Sequence, residues 1–205
     1  MTEIELKAHV SDKSSLKKKL ASFAEFEKSV VRDDTYYASP LNSHLKIRLR
    51  TEQTAGAKPC YFVTYKRKEL KTAADSIQTE VNEELESELS SPHALEQFLC
   101  DCGFQPVLKK RKEAESWKAP VPGLEGQAAA LKATLEICTV PPLGDFLEIE
   151  ILSPETDSSA VSRFQEALAV LLEKAGIEQK CIESRYYSDL LSEAQQHTVQ
   201  EMRHV

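Results

Sequence analysis

Two kinds of charged row recur in this sequence, each at the spacing of two that puts side chains on one face of a β-strand. Glu3 and Glu5 form an acidic pair ahead of Lys7, and Glu148 and Glu150 form another. Lys46, Arg48 and Arg50 make a basic row, as do Lys66 with Lys68 and Lys109 with Arg111. Between them stand apolar residues: Ile4, Leu6 and Ala8; Leu45, Ile47 and Leu49; Leu147, Ile149 and Ile151. Carboxylate rows are hard-oxygen ligands for divalent cations, and rows of Lys and Arg suit the oxygens of a polyanion. Like charges two residues apart on a strand lie about 6.5–7 Å from each other and repel. A strand of opposite sign or a bound ion has to compensate them.

Two arrangements accommodate such strands. In one, the ionic rows are the wet outer face of an ordinary antiparallel sheet. In the other, the sheet closes into an inside-out barrel. The ionic faces then line a water-filled channel, and helices cover the apolar faces. Segregation of the charges by sign within each strand favours the second, because a solvated surface tends to mix them. A triphosphate carries about four negative charges and needs several Lys or Arg partners and usually Mg²⁺. The chain has no Walker A motif and no G-x-G-x-x-G, so side chains rather than a glycine loop would hold the phosphates.

The elements that would position these rows follow from periodicity and punctuation. Strands are expected at Glu3–Val10, Val30–Ala38, His44–Glu52, Cys60–Lys68, Ile77–Leu85, Val107–Lys118, Leu131–Val140 and Phe146–Leu152. A helix opens at Ser11 as N-cap, with Leu16, Leu20, Phe23 and Phe26 as its stripe. A second follows Ser91-Pro92 and ends at Gly103. A third runs from Asp157 or Ser158 to about Ala175 and stops at Gly176, and Ser188–Val205 reads as polar and helical. Eight strands in hairpin-like succession, with helices between some of them, predict an α+β fold with a mostly antiparallel sheet or barrel. One domain is expected over residues 1–191, with a polar helical tail over 192–205.

Composition excludes several classes. The 26 basic and 33 acidic residues among 205 leave a net charge of −7, which argues against a non-specific binder of nucleic acid. The longest apolar run, Ala167–Leu172, falls far short of the ~20 residues that span a bilayer, so no membrane association is expected. The N-terminus is charged from residue 3, no signal peptide is read there, and a cytoplasmic location is expected. Five scattered cysteines without a C-x-x-C pair read as reduced thiols, and five scattered histidines show no zinc-ligand spacing.

At the level of motifs the chain resembles the CYTH domain family, also called triphosphate tunnel metalloenzymes. Glu3-Ile4-Glu5-Leu6-Lys7 is similar to its E-x-E-x-K signature, and Asp34-Thr35-Tyr36-Tyr37 to its D-x-Y-F/Y segment. Leu45–Arg50 resembles L-R-I-R, Thr64-Tyr65-Lys66 resembles T-x-K, and Lys109-Lys110-Arg111 resembles K-x-R. Leu143–Glu150 resembles L-G-x-F-x-E-I-E, and Tyr187–Leu191 the closing S-Y-x-D-L-L. Gln78-Thr79-Glu80-Val81-Asn82 departs from the R-x-E-x-E of the cyclase branch, and Glu136 stands where the family has Asp.

The resemblance implies an eight-stranded, mostly antiparallel tunnel-like barrel with a charged interior and helices packed outside. It implies ATP or another triphosphate inside, with Mg²⁺ or Mn²⁺, and leaves a homodimer open. The implied reaction is that of a class IV adenylate cyclase, a lyase that converts ATP to cyclic AMP and pyrophosphate. The alternatives are an inorganic, thiamine or nucleoside triphosphatase (a hydrolase), or a non-catalytic polyphosphate or nucleotide binder. In this scheme Glu3, Glu5, Glu136, Glu148 and Glu150 are the metal cluster. Lys7, Lys46, Arg48, Arg50, Lys66, Lys109 and Arg111 bind phosphate, and Glu5, Lys7 and Glu150 are the catalytic set. Arg67, Lys110 and Lys112 are expected on the opposite strand face, toward solvent. Glu80 and Asn82 would orient basic residues from across the tunnel, and Asp34 with Tyr36 or Tyr37 would shape the nucleoside end.

Overall fold

The computed structural model describes residues 2–42, 46–72, 78–124, 131–153 and 157–202. Eight strands close into a barrel: β1 (Thr2–His9), β2 (Glu25–Ala38), β3 (Lys46–Thr54), β4 (Cys60–Thr72), β5 (Gln78–Leu89), β6 (Gln105–Pro120), β7 (Lys132–Val140) and β8 (Gly144–Ser153). Around the barrel the order is β1-β5-β4-β3-β2-β6-β7-β8, and β8 pairs back onto β1. Every neighbouring pair is antiparallel. Closure leaves no sheet edge unpaired, so each strand has one face inside and one outside.

The apolar rows point outward. Ile4, Leu6, Leu135, Ile137, Leu147, Ile149 and Ile151 are fully or almost fully buried against helix α3 (Ser158–Lys174) and helix α1 (Lys13–Leu20). Helix α3 contributes Ala160, Val161, Phe164, Ala167, Leu168, Leu171 and Leu172 from one face. The spacing i, i+3/4, i+7 that puts these side chains on one stripe is why this segment covers a sheet rather than standing alone in water. Each buried Leu or Phe contributes roughly 1.5–3 kcal/mol. The Asp157 carboxylate caps the helix by accepting from the Ala160 amide at 3.0 Å. Gly176 ends it in the left-handed region at φ 70°, where its amide donates to the Glu173 carbonyl at 2.8 Å. On the other side, helix α2 (His93–Asp101) lays Leu95 and Leu99 over Tyr37, Ile47, Leu49 and Val63, the outward residues of β2, β3 and β4.

Two local features differ from the sequence reading. The N-cap of α1 is Asp12 rather than Ser11, since its carboxylate accepts from the Ser15 amide at 3.0 Å. That helix stops at Leu20, where Ser22 Oγ and the Ala24 amide take the Lys19 and Leu20 carbonyls. Phe26 therefore lies on β2 rather than on a helical stripe, and its ring meets Trp117 edge-on at 5.3 Å. Helix α4 (Tyr187–Met202) forms the C-terminal segment, close to the polar helix expected from Ser188 onward. Among the described residues no helix is long and apolar enough to cross a membrane.

Candidate active site

The inner faces enclose a cavity of about 1070 Å³. Its wall carries Glu3, Glu5 and Lys7 from β1, Lys46, Arg48 and Arg50 from β3, and Glu148 and Glu150 from β8. Glu136 of β7 and Glu80 and Glu86 of β5 also face it. The charged rows thus line the barrel lumen, because the barrel gives the apolar rows to the helices.

Strand register sets which charges meet. Glu136 and Glu148 are direct partners across β7 and β8, and Lys7 is opposite Glu148 across β1 and β8. The Lys112 ammonium donates to Glu136 Oε2 at 2.8 Å and to Glu148 Oε2 at 2.6 Å. Arg32 Nη1 donates to both oxygens of Glu136, at 2.7 and 2.6 Å. Burial alone would raise both carboxyls, but the Lys112 charge beside each, reinforced by Arg32 at Glu136 and Lys110 at Glu148, holds them below the usual carboxylate range. Burial opposes the Lys112 charge as well, yet the two carboxylates keep it firmly protonated.

A second group lies at β2, β3 and β6. Arg50 donates to both oxygens of Asp34, at 2.7 and 3.0 Å, and the Lys110 ammonium is 3.2 Å from the same carboxylate. Burial raises the Asp34 carboxyl, but Lys110 and Arg50 outweigh it and keep the group ionised. Arg48 Nη2 donates to Thr64 Oγ1 at 3.0 Å and to Glu86 Oε2 at 3.3 Å. Glu52 accepts from Lys28 at 2.6 Å and from Arg32 Nε at 2.8 Å. Lys7 donates to the Arg185 carbonyl at 2.7 Å and lies 3.6 Å from Glu80 on the neighbouring strand β5.

Two sequence expectations are corrected here. Lys109 and Arg111 are on the outer face: Lys109 is exposed, and Arg111 donates to Asp33 at 3.0–3.1 Å. Lys110 and Lys112, expected outside, are buried and line the cavity. Lys109-Lys110-Arg111-Lys112 is cationic at every position, so alternation alone does not say which pair faces in. The ladder with β2 decides it, pairing Lys110 with buried Asp34 and Arg111 with exposed Asp33. The five glutamates also do not converge on one point. Among the described residues no three His, Cys, Asp or Glu side chains are grouped as ligands of one ion. Lys112 stands between Glu136 and Glu148, whereas Glu5 and Glu150 face each other across β1 and β8. Lys66 is on β4 opposite Glu84, and its side chain, like those of Arg67, Lys68 and Asn82, lies outside the described residues.

Several wall residues escaped the sequence reading. Arg32 and Lys28 share the strand parity of Asp34, and Glu52 continues that of Lys46, Arg48 and Arg50. Parity could have found these. Tyr186, Tyr187, Ser188, Asp189 and Ser192 come from the first turns of α4 and its approach. The closing motif at Tyr187–Leu191 marks this segment in the sequence, but only the docking of α4 brings it to the lumen.

The family model for the CYTH domain matches residues 1–187. The chain belongs to the CYTH domain family. The PH1819 protein from Pyrococcus horikoshii is similar at 26% identity, with 94% of this CYTH chain and 99% of that one covered and a TM-score of 0.73. A proposed adenylate cyclase from Vibrio parahaemolyticus shares the fold at 18% identity, a TM-score of 0.66, and coverage of 94% and 98% of the two chains. HpAC1 from Hippeastrum, a proposed adenylyl cyclase described as having a dominant triphosphatase activity, shares it at 18% identity and a TM-score of 0.55, over 89% and 90%. No curated protein matches the CYTH chain. The lumen described above is therefore the interior of a CYTH barrel, with both signs of charge on its wall.

Proposed function

We propose that this CYTH protein is a metal-dependent enzyme that binds a nucleoside triphosphate in the barrel lumen, with ATP converted to cyclic AMP and pyrophosphate as the leading reaction. The observation that carries the reading is the convergence of Lys7, Lys46, Arg48, Arg50, Lys110 and Lys112 on one cavity of about 1070 Å³. That is far more cationic surface than a single phosphate needs. The volume lies just above the usual range for small-molecule sites, roughly 300–1,000 Å³, and leaves room for a nucleoside beside its phosphates. Phe62, Tyr65 and Leu108 on the wall offer apolar area for a base.

The donor set suits a hard cation in a modest way. Mg²⁺ is commonly held by one or two carboxylates together with substrate phosphates. Glu5 and Glu150, opposite each other on the wall, are that kind of pair, with Glu3 on the same strand face as Glu5. When bound there, Mg²⁺ or Mn²⁺ would supply Lewis-acid neutralisation of phosphate charge. The chain's own basic residues would hold the triphosphate extended and offset the charge that builds on the leaving group. In cyclisation the substrate 3′-oxygen bonds to the α-phosphorus, the bond from that phosphorus to the bridging oxygen of the β-phosphate breaks, pyrophosphate leaves and the hydroxyl proton passes to solvent.

A second reading, hydrolysis of the triphosphate by water, is favoured by the activity described for the Hippeastrum protein of the same fold. Incubation with ATP and Mg²⁺ or Mn²⁺, followed by chromatographic separation of products, distinguishes the two. Cyclic AMP with pyrophosphate supports the first, and a nucleoside diphosphate with free phosphate the second. Tight ATP binding with no turnover rejects both and leaves a nucleotide binder. The homodimer that the resemblance leaves open is tested by sedimentation.

A further inference from the structure

Tyr187, the first residue of α4, is placed where two cationic arms of the lumen meet. Lys7 Nζ lies 4.7 Å from the centre of its ring and Lys110 Nζ lies 5.0 Å from the same centre. These lysines come from β1 and β6, which are not neighbours in the barrel. The ring is wedged: Phe146 meets it edge-on at 5.2 Å with planes at 90°, and its hydroxyl is 3.7 Å from Cys138 Sγ. The chain that delivers it is tied to β1. The Glu183 amide donates to the Lys7 carbonyl at 2.8 Å, and the Lys7 ammonium donates to the Arg185 carbonyl at 2.7 Å.

We propose that Tyr187 is a positioning residue that holds the Lys7 and Lys110 ammonium groups on one aromatic ring, set for the phosphate oxygens of the triphosphate. An aromatic face attracts a cation through its quadrupole, more strongly where water is excluded. It takes none of the three N–H donors of an ammonium in a directed bond. A lysine held this way keeps donors for phosphate while losing the rotamer freedom that binding would otherwise have to remove. Each ammonium already has one carboxylate beside it, Glu80 at 3.6 Å from Lys7 and Asp34 at 3.2 Å from Lys110, and the ring adds a second anchor that uses none of the remaining donors. The C-terminal segment therefore belongs to the phosphate cage and is more than a cover for the barrel. This inference rests on the triphosphate reading above.

The test is calorimetric binding of inorganic tripolyphosphate to the full-length protein. Tyr187→Leu, which keeps apolar bulk and loses the quadrupole, is expected to weaken binding by at least about tenfold. Tyr187→Phe, which keeps the ring and loses the hydroxyl, is expected to remain within about threefold of the parent. Equal affinity in Tyr187→Leu, or an equal loss in Tyr187→Phe, overturns the role given to the ring. An unaltered protein that binds no tripolyphosphate overturns the triphosphate reading and this one together. If Tyr187→Leu does not fold, NMR of ε-¹³C-lysine protein decides without it. Two lysines, assigned by Lys7→Arg and Lys110→Arg, should show ring-current-shifted ε-methylene signals, and their absence overturns the proposal.

Discussion

Arg50 and Asp34 clasp each other across β2 and β3 through two hydrogen bonds, at 2.7 and 3.0 Å, with the Asp34 side chain wholly shielded from solvent. Lys110 shares the same carboxylate. Asp34 thus acts as counter-ion and splint for two lumen cations. Removing it leaves two positive charges buried without compensation. Breaking a buried pair in this way costs about 3–5 kcal/mol. Asp34→Ala is expected to lose that much stability in urea denaturation, and a loss below about 1 kcal/mol would show that solvent reaches the site.

The parity of β6 gives a sharp contrast between neighbours. Lys110→Ala removes a lumen cation and is expected to weaken tripolyphosphate binding by about tenfold or more. Arg111→Ala, on a side chain half exposed and paired with Asp33, should change it by less than about twofold. Calorimetry on the two variants checks which face of the strand is inside.

Metal dependence should centre on Glu5 and Glu150. Chelation with EDTA is expected to abolish turnover and added Mg²⁺ or Mn²⁺ to restore it. Glu5→Gln and Glu150→Gln should each lower kcat by about 100-fold or more, with the fold kept by circular dichroism. Full activity in either variant removes that residue from the proposed ion site.

The C-terminal segment should loosen in acid. Hydrogen bonds from the Arg185 side chain hold the Glu183 carboxyl at about 2 against an ordinary 4.5, despite partial burial that works the other way. A depressed folded-state pKa adds stability above the unfolded value and loses it as pH falls through the folded one. The stability difference between the parent and Glu183→Gln should therefore be constant above pH 4.5 and shrink as pH falls toward about 2. With Arg185 half exposed, the difference is expected to be small and to shrink further with added salt. Urea midpoints across that range measure it.

The outer core should behave like any close-packed interior. Leu168 on α3 is fully buried against the barrel wall. Leu168→Ala should cost about 2–5 kcal/mol through lost transfer energy and the cavity left behind. Thermal denaturation of the variant, with tripolyphosphate affinity per folded molecule unchanged, would separate the greasy exterior from the ionic interior.

Much of this was written locally. Period-two alternation at Glu3–Val10, His44–Glu52 and Phe146–Leu152 made the strands and their two-faced character legible, because side-chain direction along a strand is a property of adjacent residues. The same-sign rows at Glu3/Glu5 and at Lys46/Arg48/Arg50 announced that something had to neutralise them. Where alternation was silent, at Lys109–Lys112, only the ladder with β2 could say which cations face in, since pairing joins residues nearly eighty positions apart. The same holds for Lys112 between Glu136 and Glu148, which ladder register and barrel curvature bring together. It holds most of all for Tyr187, whose ring meets two lysines from non-neighbouring strands. Local chemistry determined the faces; closure of the barrel and docking of the C-terminal segment decided which faces look at each other.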